Sequence, residues 1–286
     1  MEFYTDLACE KGTQNFDEVA DDLEYGCEEI VININTTKKM QEYGKPKGKY
    51  YLLNCPNLEV LAPVVADYVA NQLADYLRLT LGEKIGEKVG KILVVGLGNK
   101  DLVCDSLGVK TAENLIVSTF ETGKNKNILT AFCPGVSGHT GIITSKLVKS
   151  VVQNTKADLV ILVDSLCAIS ATRLGNSFQI SDSGIVAGGA MGNNDEIMNS
   201  KFLGVPTIVM GTPLVIRTET IIGEVLTKLS DENIDIDQNI YKNISNLIVT
   251  PKEIDRLVSL SSYILGNAIN LAVLGISLQD QKLLNF

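Results

Sequence analysis

The stretch Ile92–Gly108, ILVVGLGNKDLVCDSLG, decides the fold class of this 286-residue chain. The four aliphatic residues at its start predict a buried strand that ends at a glycine. Gly96, Gly98 and Asn99 then turn the chain, and an acid, Asp105, precedes a further glycine. A turn of this kind either cradles a phosphate group or holds a carboxylate over the edge of a sheet. The first alternative predicts a nucleotide-binding protein, and the second predicts a hydrolase.

The spacing of the glycines disfavours nucleotide binding. A dinucleotide-binding turn has glycine at its first, third and sixth positions, and the sixth position here is Asp101. Its carboxylate would face the pyrophosphate that such a turn receives. The Gly-Lys-Ser/Thr ending of a P-loop is also missing from this stretch. The sequence therefore favours the hydrolase.

Predicted strands and helices alternate after residue 90. Apolar runs predict strands at residues 92–95, 128–132, 159–163 and 206–211. Helical spacing predicts helices near residues 60–81, 108–119, 142–153 and 218–229. Thr250, Pro251 and Glu253 predict a capping box at the start of a further long helix. This pattern indicates an α/β, three-layer, phosphorylase/hydrolase-like fold with helices on both faces of a mostly parallel central sheet.

The sequence contains no repeat, low-complexity tract or obvious linker, so a single domain over residues 1–286 is expected. Residues 7–90 precede the regular alternation and are interpreted as N-terminal additions to the core. Within them, residues 30–34 alternate in the manner of a strand, and the basic turn at 44–47 leads into another.

Composition and charge exclude several classes of partner. The chain has 25 Lys and Arg residues against 34 Asp and Glu residues, a net charge of −9, which disfavours direct binding to nucleic acid. No signal peptide and no uninterrupted apolar run of about 20 residues is found, so a cytoplasmic protein without membrane contact is predicted.

The six cysteines contain no CxxC pair and are predicted to be reduced thiols, neither disulfide-bonded nor zinc-bound.

Two aspartates are candidates for catalysis at the edge of the predicted sheet. Asp164 directly follows the strand at 159–163, and Asp105 lies in the loop after another strand. Ligands of open α/β sheets bind beyond the carboxyl ends of the strands, where these two side chains could converge. A close carboxylate pair shares a proton, so that one member can act as a base toward water. The alternative is that each aspartate caps a following helix.

Other mechanisms have weaker support. A Ser–His or Cys–His mechanism would require the single histidine, His139, with Cys133 or Ser137, but a histidine flanked by glycines is more often a surface loop residue. No residues have the spacing of metal ligands, so neither a metal ion nor another cofactor is predicted. Asp182 either lines a substrate cleft or belongs to a simple turn, and Arg173 either holds a substrate carboxylate or pairs with a local acid.

Nine motifs, in order along nearly the whole chain, resemble the germination protease of spore-forming bacteria. They are YTDLACE (4–10), KGKYYLL (47–53), VVGLGN (94–99), DSLG (105–108), PGVSGHTG (134–141), DLVILVDSL (158–166), QISDSGI (179–185), LGVPTIVMGTP (203–213) and VTPKEID (249–255). The resemblance implies an atypical aspartic endopeptidase, similar in structure to hydrogenase-maturation endopeptidases. Such an enzyme initiates the degradation of small acid-soluble spore proteins during germination. A cytoplasmic homotetramer in the spore core or forespore is expected.

The resemblance also implies roles for individual residues. The two proposed catalytic aspartates of the family correspond to Asp105 and Asp164. Substrate contacts are expected from Asn99, Arg173, Asp182 and His139. The family is made as a zymogen that cuts itself at a site of the form Thr-Glu-Ile/Phe-Ala-Ser-Glu. Thr5-Asp6-Leu7-Ala8-Cys9-Glu10 has this form, so cleavage between Asp6 and Leu7 is predicted, with residues 1–6 as a short pro-segment.

The sequence departs from the family pattern at several positions. Ile169, Asn194 and Asp195 stand in regions where the family usually carries basic residues, and Arg173 remains the nearby cation. His139 replaces an apolar residue of the glycine-rich loop. Two other functions therefore stay open: a metal-dependent maturation-type peptidase on the same scaffold, and a non-catalytic homologue that binds spore proteins.

Overall fold

The computed structural model describes residues 3–12, 16–20, 23–56, 58–61, 64–86, 90–118, 127–189, 195–228 and 247–283. Nine strands form one sheet. They are β1 (Glu18–Ala20), β2 (Glu28–Ile34), β3 (Gly48–Asn54), β4 (Lys91–Gly96), β5 (Ile128–Phe132), β6 (Leu159–Cys167), β7 (Ser177–Ser181), β8 (Thr207–Arg217) and β9 (Ile248–Val249). Their order across the sheet is β1-β2-β3-β7-β8-β6-β4-β5, and β9 pairs with the end of β8.

Strand direction divides the sheet into two halves. β8, β6, β4 and β5 are parallel neighbours, whereas β1, β2, β3 and β7 pair antiparallel and continue the sheet from β8. The predicted α/β fold of three layers is confirmed, but the sheet is mixed where a mostly parallel one was predicted. No strand was predicted at β7, because its pattern, SFQIS, runs directly into a turn. Its place in the sheet comes from pairing with β3, more than 120 residues earlier in the chain.

Helices cover both faces of this sheet. Those described are α1 (Thr37–Tyr43), α2 (Leu58–Leu61), α3 (Val64–Ile85), α4 (Leu107–Glu113), α5 (Ser137–Thr140), α6 (Thr144–Thr155), α7 (Ser200–Leu203), α8 (Thr218–Lys228), α9 (Ile254–Leu274) and α10 (Leu278–Leu283). α3, α4 and α9 pack together on one face, and α6 and α7 pack on the other. The predicted helices are present, with bounds shifted by a few residues; α4 is the shortest relative to its prediction.

The start of α9 differs from the prediction. The capping box at residues 250–253 does not form, because α9 begins at Ile254 and its cap residue, Glu253, makes no side-chain cap bond. The Thr250 hydroxyl is buried without a hydrogen-bond partner in the described part of the chain. By length and composition α9 could cross a membrane, but 67% of its most apolar 18-residue stretch is buried inside the protein.

Two cysteines form a disulfide, which corrects the prediction that all six thiols are reduced. Cys27 and Cys55 are bonded, with their Cα atoms 4.2 Å apart. The antiparallel register of β2 and β3 pairs Glu28 with Asn54, so the residues just outside this pair face each other. The sequence separation of 28 residues does not indicate a disulfide, because only the strand register brings the two cysteines together. The other four, Cys9, Cys104, Cys133 and Cys167, are free.

The alternation of β6 decides where Asp164 points. Leu159, Ile161 and Val163 pack into the core beneath α3 and α9, whereas Val160 and Leu162 pack against α6 and α7. Successive side chains of a strand point to opposite faces. Asp164 therefore faces the same side as α6 and α7, beside the place where the N-terminal residues pack.

Candidate active site

The glycine turn after β4 packs closely against the chain around Asp105. Gly98 has a φ of +101°, and a Cβ atom there would lie 1.9 Å from the Asp105 carbonyl oxygen. The backbone N–H of Asn99 donates to the Asp105 carbonyl oxygen at 3.0 Å and to its carboxylate at 2.9 Å. The turn thus holds a carboxylate over the edge of the sheet, as the hydrolase interpretation predicts.

A second glycine brings this carboxylate close to β6. Gly108 lies in the first turn of α4, and a Cβ atom there would lie 2.3 Å from the Val163 carbonyl oxygen and 2.4 Å from that of Leu97. Val163 immediately precedes Asp164. Because no side chain separates α4 from the backbone around β4 and β6, Asp105, two residues before the helix, is held near enough for its charge to raise the pKa of Asp164.

Asp164 lies within β6, whereas the prediction placed it just after a strand ending at Val163. β6 continues to Cys167 and pairs with β8 past this point. The residue is 2% exposed, and Asp105 is 5% exposed. The carboxylate of Asp164 accepts a hydrogen bond from the backbone N–H of Ser165 at 2.9 Å.

Both carboxyl groups have raised pKa values. Burial raises the pKa of Asp105 to about 6, against the opposing hydrogen bond from Asn99. Burial also raises the pKa of Asp164 well above its ordinary value, and the nearby charges of Asp105 and Asp6 raise it further. Neither carboxyl group forms a salt bridge within the described ranges. Two coupled acids of this kind are suited to share a proton and act as general base and general acid.

The N-terminal residues 4–10, which we call the N-terminal segment, lie along the end of β6. The backbone N–H of Asp6 donates to the Cys167 carbonyl at 2.8 Å, and the Cys167 N–H donates to the Asp6 carboxylate at 2.8 Å. The Tyr4 hydroxyl donates to the other carboxylate oxygen of Asp6 at 2.7 Å. Leu7 and Ala8 are fully buried. The segment therefore packs against the strand that carries Asp164, and its residues Ala8–Glu10 form a 3-10 turn.

Gln179 holds the two peptide groups on either side of Leu7, a contact that sequence reasoning missed. Its Nε2 donates to the Asp6 carbonyl oxygen and its Oε1 accepts from the Ala8 N–H, both at 2.9 Å. In the sequence it opens the motif QISDSGI, of which only Asp182 was singled out, either as a residue of a substrate cleft or as part of a simple turn.

Gln179 and Asp164 lie in the same row across the sheet. Gln179 is opposite Gly211 on β8, and Gly211 is opposite Asp164 on β6, so the two side chains project from the same face with a glycine between them. A cavity of about 160 Å³ next to the segment is bordered by Asp6, Gln179 and Leu166. Neither Asp105 nor Asp164 borders this cavity.

The other predicted contact residues have different surroundings. Arg173 pairs with Glu10 of the N-terminal segment at 3.9 Å. His139 is exposed on the short helix α5. Asp182 is not brought to the aspartate pair: it accepts from the Lys49 N–H at 2.7 Å and pairs with Lys84 of α3 at 2.5 Å. The Asn99 side chain accepts from the Asp101 N–H at 3.0 Å, so this residue shapes the turn that holds Asp105.

The departures from the family pattern also have structural surroundings. Asp195 accepts hydrogen bonds from the backbone and the hydroxyl of Ser145, at 3.3 and 3.0 Å, and thereby caps the start of α6. Ile169 donates its backbone N–H to Glu10 at 2.7 Å. Asn194 lies outside the described residues. In the part of the chain that the structure describes, no three His, Cys, Asp or Glu side chains are grouped to hold a metal ion.

The sequence model of the germination protease family matches residues 6–232, which include both aspartates. The chain belongs to the germination protease family. A germination protease of Caldanaerobacter subterraneus subsp. tengcongensis is 32% identical over 268 residues, covering 80% of this chain and 79% of the relative. The germination protease of Clostridium perfringens strain SM101 is 34% identical, with 63% of this chain and 65% of the relative covered. That of Bacillus subtilis strain 168 is 31% identical, with 67% of this chain and 54% of the relative covered. The family assignment indicates a peptidase of spore germination.

Proposed function

We propose that this germination protease family member is an endopeptidase that initiates the degradation of small acid-soluble spore proteins. Asp105 and Asp164 would activate the water that attacks the peptide bond. The observation that carries the proposal is the pair itself: two buried carboxyl groups with raised pKa values, Asp164 on β6 and Asp105 in the loop that follows the neighbouring parallel strand β4. A homotetramer in the cytoplasm of the spore, without cofactor, nucleic acid or membrane contact, remains part of this prediction.

The surroundings of the two carboxyl groups suggest separate roles. Asp164 is the more deeply buried and is close to two other carboxylates, so it keeps its proton longer than Asp105. Ionised Asp105 would take a proton from water as the hydroxyl oxygen bonds to the peptide carbon. Asp164 would then give its proton to the amide nitrogen as the C–N bond breaks. The two pKa values belong to the coupled pair, and a pH profile would report them together.

The same site would also cut the protein's own N-terminal segment between Asp6 and Leu7. Gln179 supports this proposal because it binds the carbonyl oxygen of Asp6 and the N–H of Ala8, on either side of Leu7. The charge of Asp6 also acts on Asp164, so this part of the segment lies near the pair.

Cleavage of a purified small acid-soluble spore protein tests the proposed function. The native protein, Asp164→Asn and the matched control Asp101→Asn, an exposed acid of the same turn region, are assayed with and without a chelator. We expect product from the native protein and the control, also with chelator, and none from Asp164→Asn. Loss of activity with chelator and its recovery with divalent metal would indicate the metal-dependent peptidase. Binding of substrate without cleavage under all conditions would indicate the non-catalytic homologue.

Self-processing predicts a defined new N-terminus. Mass spectrometry of the native protein after incubation is expected to show loss of residues 1–6 and a chain that begins at Leu7. Asp164→Asn should keep Met1 under the same conditions, because processing would require the aspartate pair. A fully active enzyme with an intact Met1 would contradict the prediction.

Gln179→Leu is expected to lower kcat for the spore-protein substrate by about 100-fold, since the leucine keeps the size of the side chain but loses both peptide contacts. Gln41→Leu, the same change at an exposed position of α1, should leave kcat unchanged. Steady-state kinetics with circular dichroism of both variants would measure the effect. Equal kcat values for Gln179→Leu and the native protein would show that Gln179 does not hold the substrate.

A further inference from the structure

A short turn lies against the carboxyl group of Asp164. The backbone N–H of Gly189 donates to the Val186 carbonyl oxygen at 3.0 Å, and Gly188 between them has a φ of +66°, which favours glycine. We call the four residues that begin at Val186 the Gly188 turn. The backbone N–H of Gly188 donates a hydrogen bond to the Asp164 carboxylate. The turn thus supplies this acid with a backbone donor in addition to the N–H of Ser165.

Arg217, the last residue of β8, holds the Gly188 turn from the opposite side. Its Nη2 donates to the Gly189 carbonyl oxygen at 2.8 Å, and its Nη1 pairs with Glu219 of α8 at 3.5 Å. The guanidinium carbon lies 4.0 Å from the centre of the Tyr4 ring. The Arg217 side chain is only 21% exposed, because it is enclosed by the turn, by α8 and by the N-terminal segment.

We infer that Arg217 is a positioning residue for the peptidase reaction: through the Gly189 carbonyl it keeps the N–H of Gly188 on the Asp164 carboxyl group. The inference rests on the proposed function, in which Asp164 gives its proton to the amide nitrogen. Arg217 acts through the backbone of the turn. It also stays in the chain after the proposed cut, whereas Tyr4 leaves with residues 1–6.

The hydrogen bond from Gly188 affects how readily Asp164 gives up its proton. Burial and the charges of Asp105 and Asp6 raise the pKa of Asp164. A hydrogen bond to the carboxylate favours the ionised form and therefore lowers the pKa. Without this bond Asp164 would hold its proton more tightly and would be a weaker general acid. The other titratable groups around it interact with Asp6 or Asp105; they are Tyr4, Lys45, Cys104 and Cys167.

The pKa of Asp164 in the full-length protein tests the inference without relying on catalysis. All proteins carry Asp105→Asn, which prevents the proposed self-cleavage and leaves Asp164 to titrate without its coupled partner. Aspartate labelled with carbon-13 at its carboxyl group is incorporated, and the Asp164 signal is the one that Asp164→Asn removes. The chemical shift of this signal against pH gives the pKa, and circular dichroism checks that each variant is folded.

Arg217→Met is expected to raise the pKa of Asp164 by about one pH unit, the effect of one lost hydrogen bond to a charged oxygen. Arg217→Lys keeps a donor for the Gly189 carbonyl and should restore most of the original value. Arg78→Met on α3 is the matched control, because Arg78 also donates to a backbone carbonyl, at 2.8 Å, and pairs with an acid. An unchanged pKa of Asp164 in Arg217→Met would overturn the inference.

Gly188→Ala separates positioning from a direct effect of the positive charge. Alanine disfavours the φ of +66°, so this variant should turn the N–H away and raise the pKa of Asp164 by a similar amount with no change of charge. Gly275→Ala, at a φ of +69°, is the control. If Arg217 acts through the turn, adding Arg217→Met to Gly188→Ala should change the pKa little further. Additive changes would indicate a direct charge effect and overturn the inference.

The pH dependence of spore-protein cleavage provides a second measurement, in proteins with Asp105 intact. Loss of the Asp164 proton ends activity at high pH. Arg217→Met should therefore move the alkaline limb of the kcat profile up by about one pH unit and lower its maximum about tenfold. A lower kcat with an unmoved profile would indicate a merely structural role and overturn the inference. Because the pKa of Asp164 is measured without cleavage, the inference and the proposed function can fail separately.

Discussion

Asp105→Asn is expected to lower peptidase activity about a thousandfold, the range of a lost general base. Asparagine keeps the size of the side chain and still accepts the hydrogen bond from the Asn99 backbone, so the turn should keep its shape. The kcat/KM for spore-protein cleavage measures the effect. Full activity of Asp105→Asn would refute the proposed pair.

The same substitution is expected to make the folded protein more stable at neutral pH. The pKa of Asp105 rises from 3.8 to about 6 on folding, so the folded state binds its proton more tightly than the unfolded state does. The stability of the native protein therefore falls as the pH rises from about 4 to about 6. A pKa change of this size lowers the unfolding free energy of the native protein by about 3 kcal/mol at pH 7. The asparagine variant has no carboxyl group at this position and avoids that loss.

Urea unfolding at pH 7 and pH 4 separates this effect from a general change in packing. Asp105→Asn should unfold at higher urea concentration than the native protein at pH 7, and the difference should shrink toward pH 4, where the native carboxyl group is protonated. The exposed control Asp101→Asn should show neither the gain in stability nor the loss of activity. A variant that is inactive and also less stable at pH 7 would indicate a structural role for Asp105.

Gly108→Ala is expected to destabilise the protein by about 3 kcal/mol and to abolish activity. The added Cβ atom would lie 2.3 Å from the carbonyl oxygen of Val163 and 2.5 Å from the backbone nitrogen of Leu97. These are backbone atoms of β6 and of the residue that follows β4, so relief requires α4 to move away from the sheet. That movement would separate Asp105 from Asp164.

Gly82→Ala is the matched control, because Gly82 also lies in a helix but a Cβ atom there has no neighbour within 4 Å. Alanine is the better helix former, so this variant should be more stable by about 0.5–1 kcal/mol, with unchanged activity. Urea unfolding of both variants measures the difference. A Gly108→Ala protein as stable as the native one would show that the close contact between α4 and the two strands is not required.

Local sequence was sufficient for the parallel half of the sheet and for the catalytic candidates. β4 and the start of β6 are short apolar runs with little alternation, which is typical of strands buried on both faces. The two aspartates follow from the rule that side chains at the carboxyl ends of such strands meet at one edge. The glycines at 96, 98 and 108 are visible in the sequence. Only the packed structure shows why a side chain does not fit there: backbone atoms of neighbouring segments lie too close.

The antiparallel half and the contacts of the N-terminal segment required the tertiary structure. The pairing of β7 with β3, the disulfide between Cys27 and Cys55 and the contacts of Gln179 with the N-terminal segment all join residues far apart in the chain. Hydrophobic periodicity reports only which face of an element is buried, because it arises from neighbours within a few residues. The sequence therefore determined the layered fold and the positions of the two acids, on β6 and in the loop after β4. Long-range pairing alone decided that Gln179 and the N-terminal segment lie beside β6.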